Sequence, residues 1–255
     1  MYLFGLSLFF SACAMYTDGS RSFVFDGENR TSYECENVVL ELEHAPADLQ
    51  AILLTHMRIG HLPKFLKKFT QLRVLSLAGN CLKDTSVDVL ANFKKLLSLD
   101  LSDNLFKHVP CAVADLPDLC ALNLSGNRMI SAKAAWENVE MLETLDLSCN
   151  DLKKIDSSVT RLPELRTLIL DGNLLRYLPT TLSCVATLRK LTLTHNCFTK
   201  LPAVVDCLGD ENTKVSILES EDEQFELDHP DDVIVHYSQI TQHRGPREVC
   251  ADRLV

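Results

Sequence analysis

The sequence predicts an α/β fold: a right-handed, curved solenoid whose short strands stack into one parallel sheet on the concave side. Three observations predict it. The pattern L-x-x-L-x-L-x-x-N occurs six times, and successive copies are 23 or 24 residues apart. The segments between copies often open on an apolar residue followed by proline, which fixes φ and discourages a long helix. A step of that size holds one strand and one return segment, so each copy is one coil that cannot bury its apolar face alone.

The copies read LRVLSLAGN ending at Asn80, LLSLDLSDN at Asn104, LCALNLSGN at Asn127, LETLDLSCN at Asn150, LRTLILDGN at Asn173 and LRKLTLTHN at Asn196. A weaker seventh, LQAILLTHM, ends at Met57, 23 residues before Asn80, and is placed first in the stack. Within each copy the x-L-x-L-x core has the period of a strand. Leu99 and Leu101 therefore point inward, and Ser98, Asp100 and Ser102 outward. The asparagine turns the chain out of the strand, where its amide can both donate to and accept from backbone groups that would otherwise be stranded.

Leu62-Pro63, Val109-Pro110, Leu178-Pro179 and Leu201-Pro202 mark short return segments. Two repeats depart from this. In KDTSVDVLANFKKL, Thr85 and Asp88 have capping-box spacing, and Val87, Leu90 and Phe93 fall at helical intervals. SAKAAWENVEML, with Trp136, is rich in helix formers. About two helical turns are expected in each of these.

A solenoid needs covers at its ends. Residues 15–48 are expected to form an N-terminal β cap from two β-rich runs, Phe23 to Phe25 and Val38 to Leu42, on either side of Asp26-Gly27. Seven repeats then occupy 49–208. Val215-Ser216-Ile217 lies 24 residues after Leu191-Thr192-Leu193, so 209–220 is expected to add a last half-repeat strand. Residues 221–255 read as an acidic and polar tail, too charged to build a core. Residues 1–14, MYLFGLSLFFSACA, imitate a secretory signal but lack a basic start, and Met15 offers an alternative beginning.

These residues resemble the leucine-rich-repeat superfamily, and within it the 23-residue Leu-Pro class found mainly in intracellular scaffold proteins. The resemblance covers Leu49 to Leu208. It implies a curved solenoid that presents its sheet to protein ligands, as a non-catalytic scaffold, adaptor or regulatory subunit. The alternative is a secreted ectodomain that recognises a peptide or glycan.

The residues themselves point the same way. The formal charge is −10, of which −8 falls between Gly209 and Val255, so the body is nearly neutral. No apolar run reaches the ~18 residues that span a bilayer. The acidity and the lack of interleaved aromatics disfavour nucleic acid, and a membrane is disfavoured as a partner too. Ten cysteines are scattered through the chain with no paired cluster at either end, which favours a cytoplasmic or nuclear setting. Secretion stays open if residues 1–14 act as a signal. The chain is expected to be monomeric by itself.

No phosphate loop, C-x-x-C pair or nucleophile elbow occurs, so no enzyme, cofactor or metal is expected. His195 and Cys197 flank Asn196 without a second close pair, and His229, His236 and His243 recur every seven residues without a helical pattern. The expected partner is another protein, held on the outward sheet face by Ser76, Asp100, Ser102, Asn123, Asp146, Ile169, Asp171 and Thr192. A second candidate surface is a basic stripe after the asparagine turns: Lys83, Lys107, Lys153, Lys154, Arg176 and Lys200.

Overall fold

The structure is a computed structural model that describes residues 15–16, 21–134, 136–199, 202–204 and 214–216. The seven predicted repeat strands all form. They are β3 (Ala51–Thr55), β4 (Val74–Ser76), β5 (Ser98–Asp100), β6 (Ala121–Asn123), β7 (Thr144–Asp146), β8 (Thr167–Ile169) and β9 (Lys190–Thr192). Two strands precede them, β1 (Met15–Tyr16) and β2 (Ser22–Asp26), and β10 (Lys214–Ser216) follows. The ten form one open sheet in chain order, antiparallel between β1 and β2 and parallel everywhere else. Val215 lies opposite Leu191, the register that the 24-residue step predicts.

The core is a stack of leucine columns. Leu75, Leu99, Leu122, Leu145, Leu168 and Leu191 lie side by side across the sheet, each at most 1% exposed. Leu77, Leu101, Leu124, Leu147, Leu170 and Leu193 form the next column and are equally buried. A fully buried leucine contributes about 1.5–3 kcal/mol, so stacking is what holds the coils together.

The six asparagines form a second ladder at the strand ends, all buried. Asn127 shows the pattern. Its Nδ2 donates to Leu101 O of the preceding coil at 3.0 Å and to Leu124 O and Ser125 O of its own coil at 3.1 Å. Its Oδ1 accepts from Phe106 N at 3.0 Å. Each asparagine thus clips two coils together. Met57 fills the same place in the first repeat, buried but without the amide.

The residue before each asparagine turns the chain through left-handed backbone. Glycine and non-glycine alternate there: His56, Gly79, Asp103, Gly126, Cys149, Gly172 and His195, with φ between 51° and 67°. Packing accounts for two of the glycines. A Cβ on Gly79 would lie 2.2 Å from the His56 ring, and one on Gly126 would lie 2.0 Å from Asp103 Oδ1. The side chain of one coil lies over the glycine of the next.

Two expectations fail. The run Val38 to Leu42 is not a strand but part of helix α1 (Ser32–His44). Thr31 and Glu34 close a capping box, and Cys35, Val38 and Leu42 make its buried face at spacings of three and four. The cap is therefore two strands and a helix, with β1 antiparallel to β2 and β2 parallel to β3. The two expected return helices are also absent. Asp88–Asn92 and Trp136–Asn138 are short 3-10 turns, like those of the proline-marked repeats. Val87, Leu90 and Phe93 are spaced by three, which is the 3-10 period, and all are at most 1% exposed. The Thr85–Asp88 box does not form. Ser86 bonds Lys83 N and Lys83 O instead, both at 2.7 Å.

Candidate functional site

The outward positions of β4 to β9 make one continuous face. Asp100 organises its N-terminal part. Its Oδ1 accepts from Ser102 N at 3.0 Å and Ser102 Oγ at 2.7 Å, and its Oδ2 accepts from Ser76 Oγ at 3.2 Å. Asn123 accepts from Ser125 N at 3.0 Å, and Asp146 from Ser148 N at 2.8 Å. Each bond reaches the amide two residues on and ends the strand, as Asx turns do. Asp171 reaches across a coil instead, accepting from Thr194 N at 2.7 Å.

The predicted site residues therefore separate into two groups. Ser76, Ser102 and Thr192 are buried, so they support the face rather than present it. Asp100, Asn123, Asp146, Ile169 and Asp171 are half-buried, and Ile169 is not the fully exposed contact that its column position suggests. One acid was missed: Asp103, one residue before Asn104 in the left-handed column. The recurring residue before each asparagine was the available signal.

These carboxylates act on one another. Burial pushes the Asp146 carboxyl up, its bonds to Ser148 pull it down, and the charges of Asp171 and Asp100 push it up again, for a net rise. Asp103 is exposed at the rim of the face, but the protein packed on one side of it and the charge of Asp100 still raise its carboxyl, with His56 opposing. Among the described residues no lysine or arginine pairs with Asp100, Asp103, Asp146 or Asp171. The middle of the face thus carries uncompensated negative charge in partly desolvated surroundings.

The basic stripe is present but interrupted. Lys83, Lys107, Lys153, Lys154 and Arg176 are exposed, and Lys200 lies outside the described residues. In the repeat between Lys107 and Lys153 the equivalent position holds Ile130, 57% exposed. His195 and Cys197 are half-buried turn residues, and residues 229, 236 and 243 lie outside the described residues. A separate group, Asp26, Glu28 and His56, gathers at the ends of β2 and β3 and was not legible across 30 residues of sequence.

No helix among the described residues is long and apolar enough to cross a membrane. Among the described residues six cysteines are free: Cys35, Cys81, Cys111, Cys120, Cys184 and Cys197. Cys149 is disulfide-bonded.

Comparison with known proteins agrees with this architecture. The leucine-rich-repeat family model matches residues 70–129 and 140–198. A leucine-rich-repeat protein of Leptospira interrogans has a solved structure similar to this one at a TM-score of 0.60 and 29% identity, over 70% of this chain and 44% of that one. The ectodomain of the membrane receptor kinase GASSHO1/SCHENGEN3 of Arabidopsis thaliana, solved in complex with Casparian strip integrity factor 2, gives 0.51 and 25% identity over 65% of this chain and 23% of that one. An uncharacterized leucine-rich-repeat-containing protein of Schizosaccharomyces pombe is 35% identical over 65 residues, which is 26% of this chain and 10% of the relative's length. Folds of this kind commonly bind other proteins. The chain belongs to the leucine-rich-repeat superfamily.

Proposed function

We propose that this chain is a non-catalytic protein-binding module, a scaffold or adaptor, that holds a basic element of its partner against the concave sheet. The observation that carries this is the cluster Asp100, Asp103, Asp146 and Asp171, which has no lysine or arginine partner among the described residues. A ligand ammonium or guanidinium relieves the mutual repulsion, and charge pairs of this kind set association rate and specificity. The Arabidopsis ectodomain, solved with its factor bound, supports the idea that a solenoid of this shape can seat another polypeptide.

The fold itself supplies a clean test. Asn123 occupies the same column as Asp100 and Asp146 and makes the same strand-ending bond without a charge. Asp100→Asn with Asp146→Asn therefore removes charge and keeps the strand-ending bonds from Ser102 N and Ser148 N. A displayed random-peptide library selected on the wild-type chain is expected to enrich lysine- and arginine-rich sequences that the double variant no longer retains. Lys153→Glu with Lys154→Glu is the flank control and retains them. Enrichment of acidic peptides, lost only in the flank variant, overturns the proposal in favour of the basic stripe.

For the compartment, the sequence carries two N-x-S/T glycosylation sequons, Asn29-Arg30-Thr31 and Asn123-Leu124-Ser125. The six free cysteines among the described residues and the place of Asn123 on the sheet face favour the cytoplasm or nucleus, since a glycan there covers the sheet. The disulfide at Cys149 favours the secreted reading instead. A glycosidase mobility shift of the protein expressed in its own cells decides between them, because only the secretory route glycosylates Asn123 or Asn29.

A further inference from the structure

We propose that Asp26, Glu28 and His56 form a binding site for a divalent transition-metal ion, with zinc the best chemical fit, at the N-terminal rim of the sheet. Parallel pairing of β2 with β3 sets Asp26 opposite Thr55, so His56, one residue further on, comes beside the Asp26 carboxylate. His56 Nδ1 lies 2.9 Å from Asp26 Oδ1, and the ligand atoms of all three residues lie within 4.8 Å of one another. Zinc sits about 2.0–2.2 Å from nitrogen and oxygen ligands, which places tetrahedral neighbours roughly 3.3 Å apart. The Asp26–His56 spacing is already close to that. Glu28 is exposed and needs only a rotamer adjustment.

The imidazole is held in place. His56 has left-handed backbone at φ 53°, and its ring occupies the space that a Cβ on Gly79 would need. Asp26 is oriented by a bond from Glu28 N at 3.1 Å. Two carboxylates, Asp26 and Glu28, thus flank one imidazole. Among the described residues no lysine or arginine forms an ion pair with either of them.

The donor set selects the cation. An imidazole nitrogen with carboxylates suits zinc, copper or nickel, whereas calcium and magnesium prefer oxygen alone. The three residues leave a fourth position for water or for a side chain of a bound protein. Because the ligands come from the cap and from the first repeat, the ion would tie the two together, and its binding would raise the melting temperature by mass action.

The test uses the full chain and zinc chloride alone, read by titration calorimetry and by thermal melts. Wild type is expected to bind one zinc ion at this site and melt higher with zinc, while calcium has no effect. His56→Asn, chosen because asparagine tolerates left-handed backbone, and the separate pair Asp26→Asn with Glu28→Gln are each expected to weaken binding at least ~10-fold. Both are first checked for wild-type circular dichroism. Cys197→Ser leaves binding unchanged. Absence of zinc binding by wild type overturns the proposal, as does binding that survives both ligand variants or disappears in Cys197→Ser.

Discussion

Replacing Asn127 with alanine removes four hydrogen bonds from a residue that is 3% exposed, so water cannot substitute for them. The losses are unequal. Leu101 O still accepts from Asn104, Leu124 O from Asn150, and Ser125 O from Asp103 N. The amide of Phe106 keeps no second bond among the described residues. A stranded buried donor costs about 1–3 kcal/mol, and the three carbonyls, which keep other donors, each lose less than the ~1 kcal/mol of an ordinary bond, so about 3 kcal/mol is expected overall. At about 2–4 °C per kcal/mol for a chain of this size, the melt should fall by roughly 6–12 °C. Asn127→Asp separates the two functions of the amide. It keeps an acceptor for Phe106 N but sets a carboxylate against three carbonyls, so its folded pKa lies above the unfolded value. Such a group destabilises most at neutral pH, and the penalty shrinks as pH falls through the raised folded pKa. Melts by circular dichroism at several pH values check both variants. Asn127→Ala melting within about 1 °C of wild type, or Asn127→Asp matching wild type at neutral pH, would falsify the clip.

Gly126→Ala should destabilise by about 1–2 kcal/mol from its left-handed backbone alone, plus the collision with Asp103 Oδ1. Adding Asp103→Gly should recover the collision but not the backbone cost, a coupling that a double-mutant cycle reads directly. Asp146→Asn should raise the melting temperature at neutral pH, because the wild-type carboxyl is pushed up by burial in the folded state. That advantage should vanish as pH falls below the ordinary value of 3.8, where both states are protonated. An advantage that grows in acid would reverse the sign. Asp84 should behave oppositely. Burial raises its carboxyl, but bonds from His108 Nδ1, Lys107 N and His108 N outweigh burial and hold it below 3.8. Asp84→Ala should therefore be less stable than wild type at neutral pH, and the two should converge in acid as the wild-type contribution is lost through the folded pKa.

Much of the fold was legible because two periods fix it. The alternation inside L-x-L sets which side chains face inward, and the constant step sets the register from Leu75 to Val215. The errors came where two periods compete. Val38 to Leu42 is β-rich by residue type, yet Cys35, Val38 and Leu42 fall on one helical face and Thr31-x-x-Glu34 caps it. Residue type is the weaker signal there, because burial of that one face in the core decides the local structure. Val87, Leu90 and Phe93 misled in the opposite direction. Spacing by three fits both an α-helical stripe and a 3-10 turn, and only the short coil, held by Ser86 and Asp84 bonds, selects the tighter form.

The proposed binding face was only partly legible, because its carboxylates do two things that sequence columns do not separate. Asp100-Leu101-Ser102, Asn123-Leu124-Ser125 and Asp146-Leu147-Ser148 repeat one local bond, in which the first side chain caps the strand through the amide two residues on. The repetition is therefore a structural signature. Charge is not part of it, since Asn123 makes the bond as well as its acidic neighbours. Asp146 pays for its charge in desolvation and in repulsion from Asp171 and Asp100, and Asp103 does so beside Asp100. The fold gains nothing from that charge. Perturbed carboxylates that the architecture does not require are where a ligand is best sought, and the proposed cationic partner would turn the cost into binding.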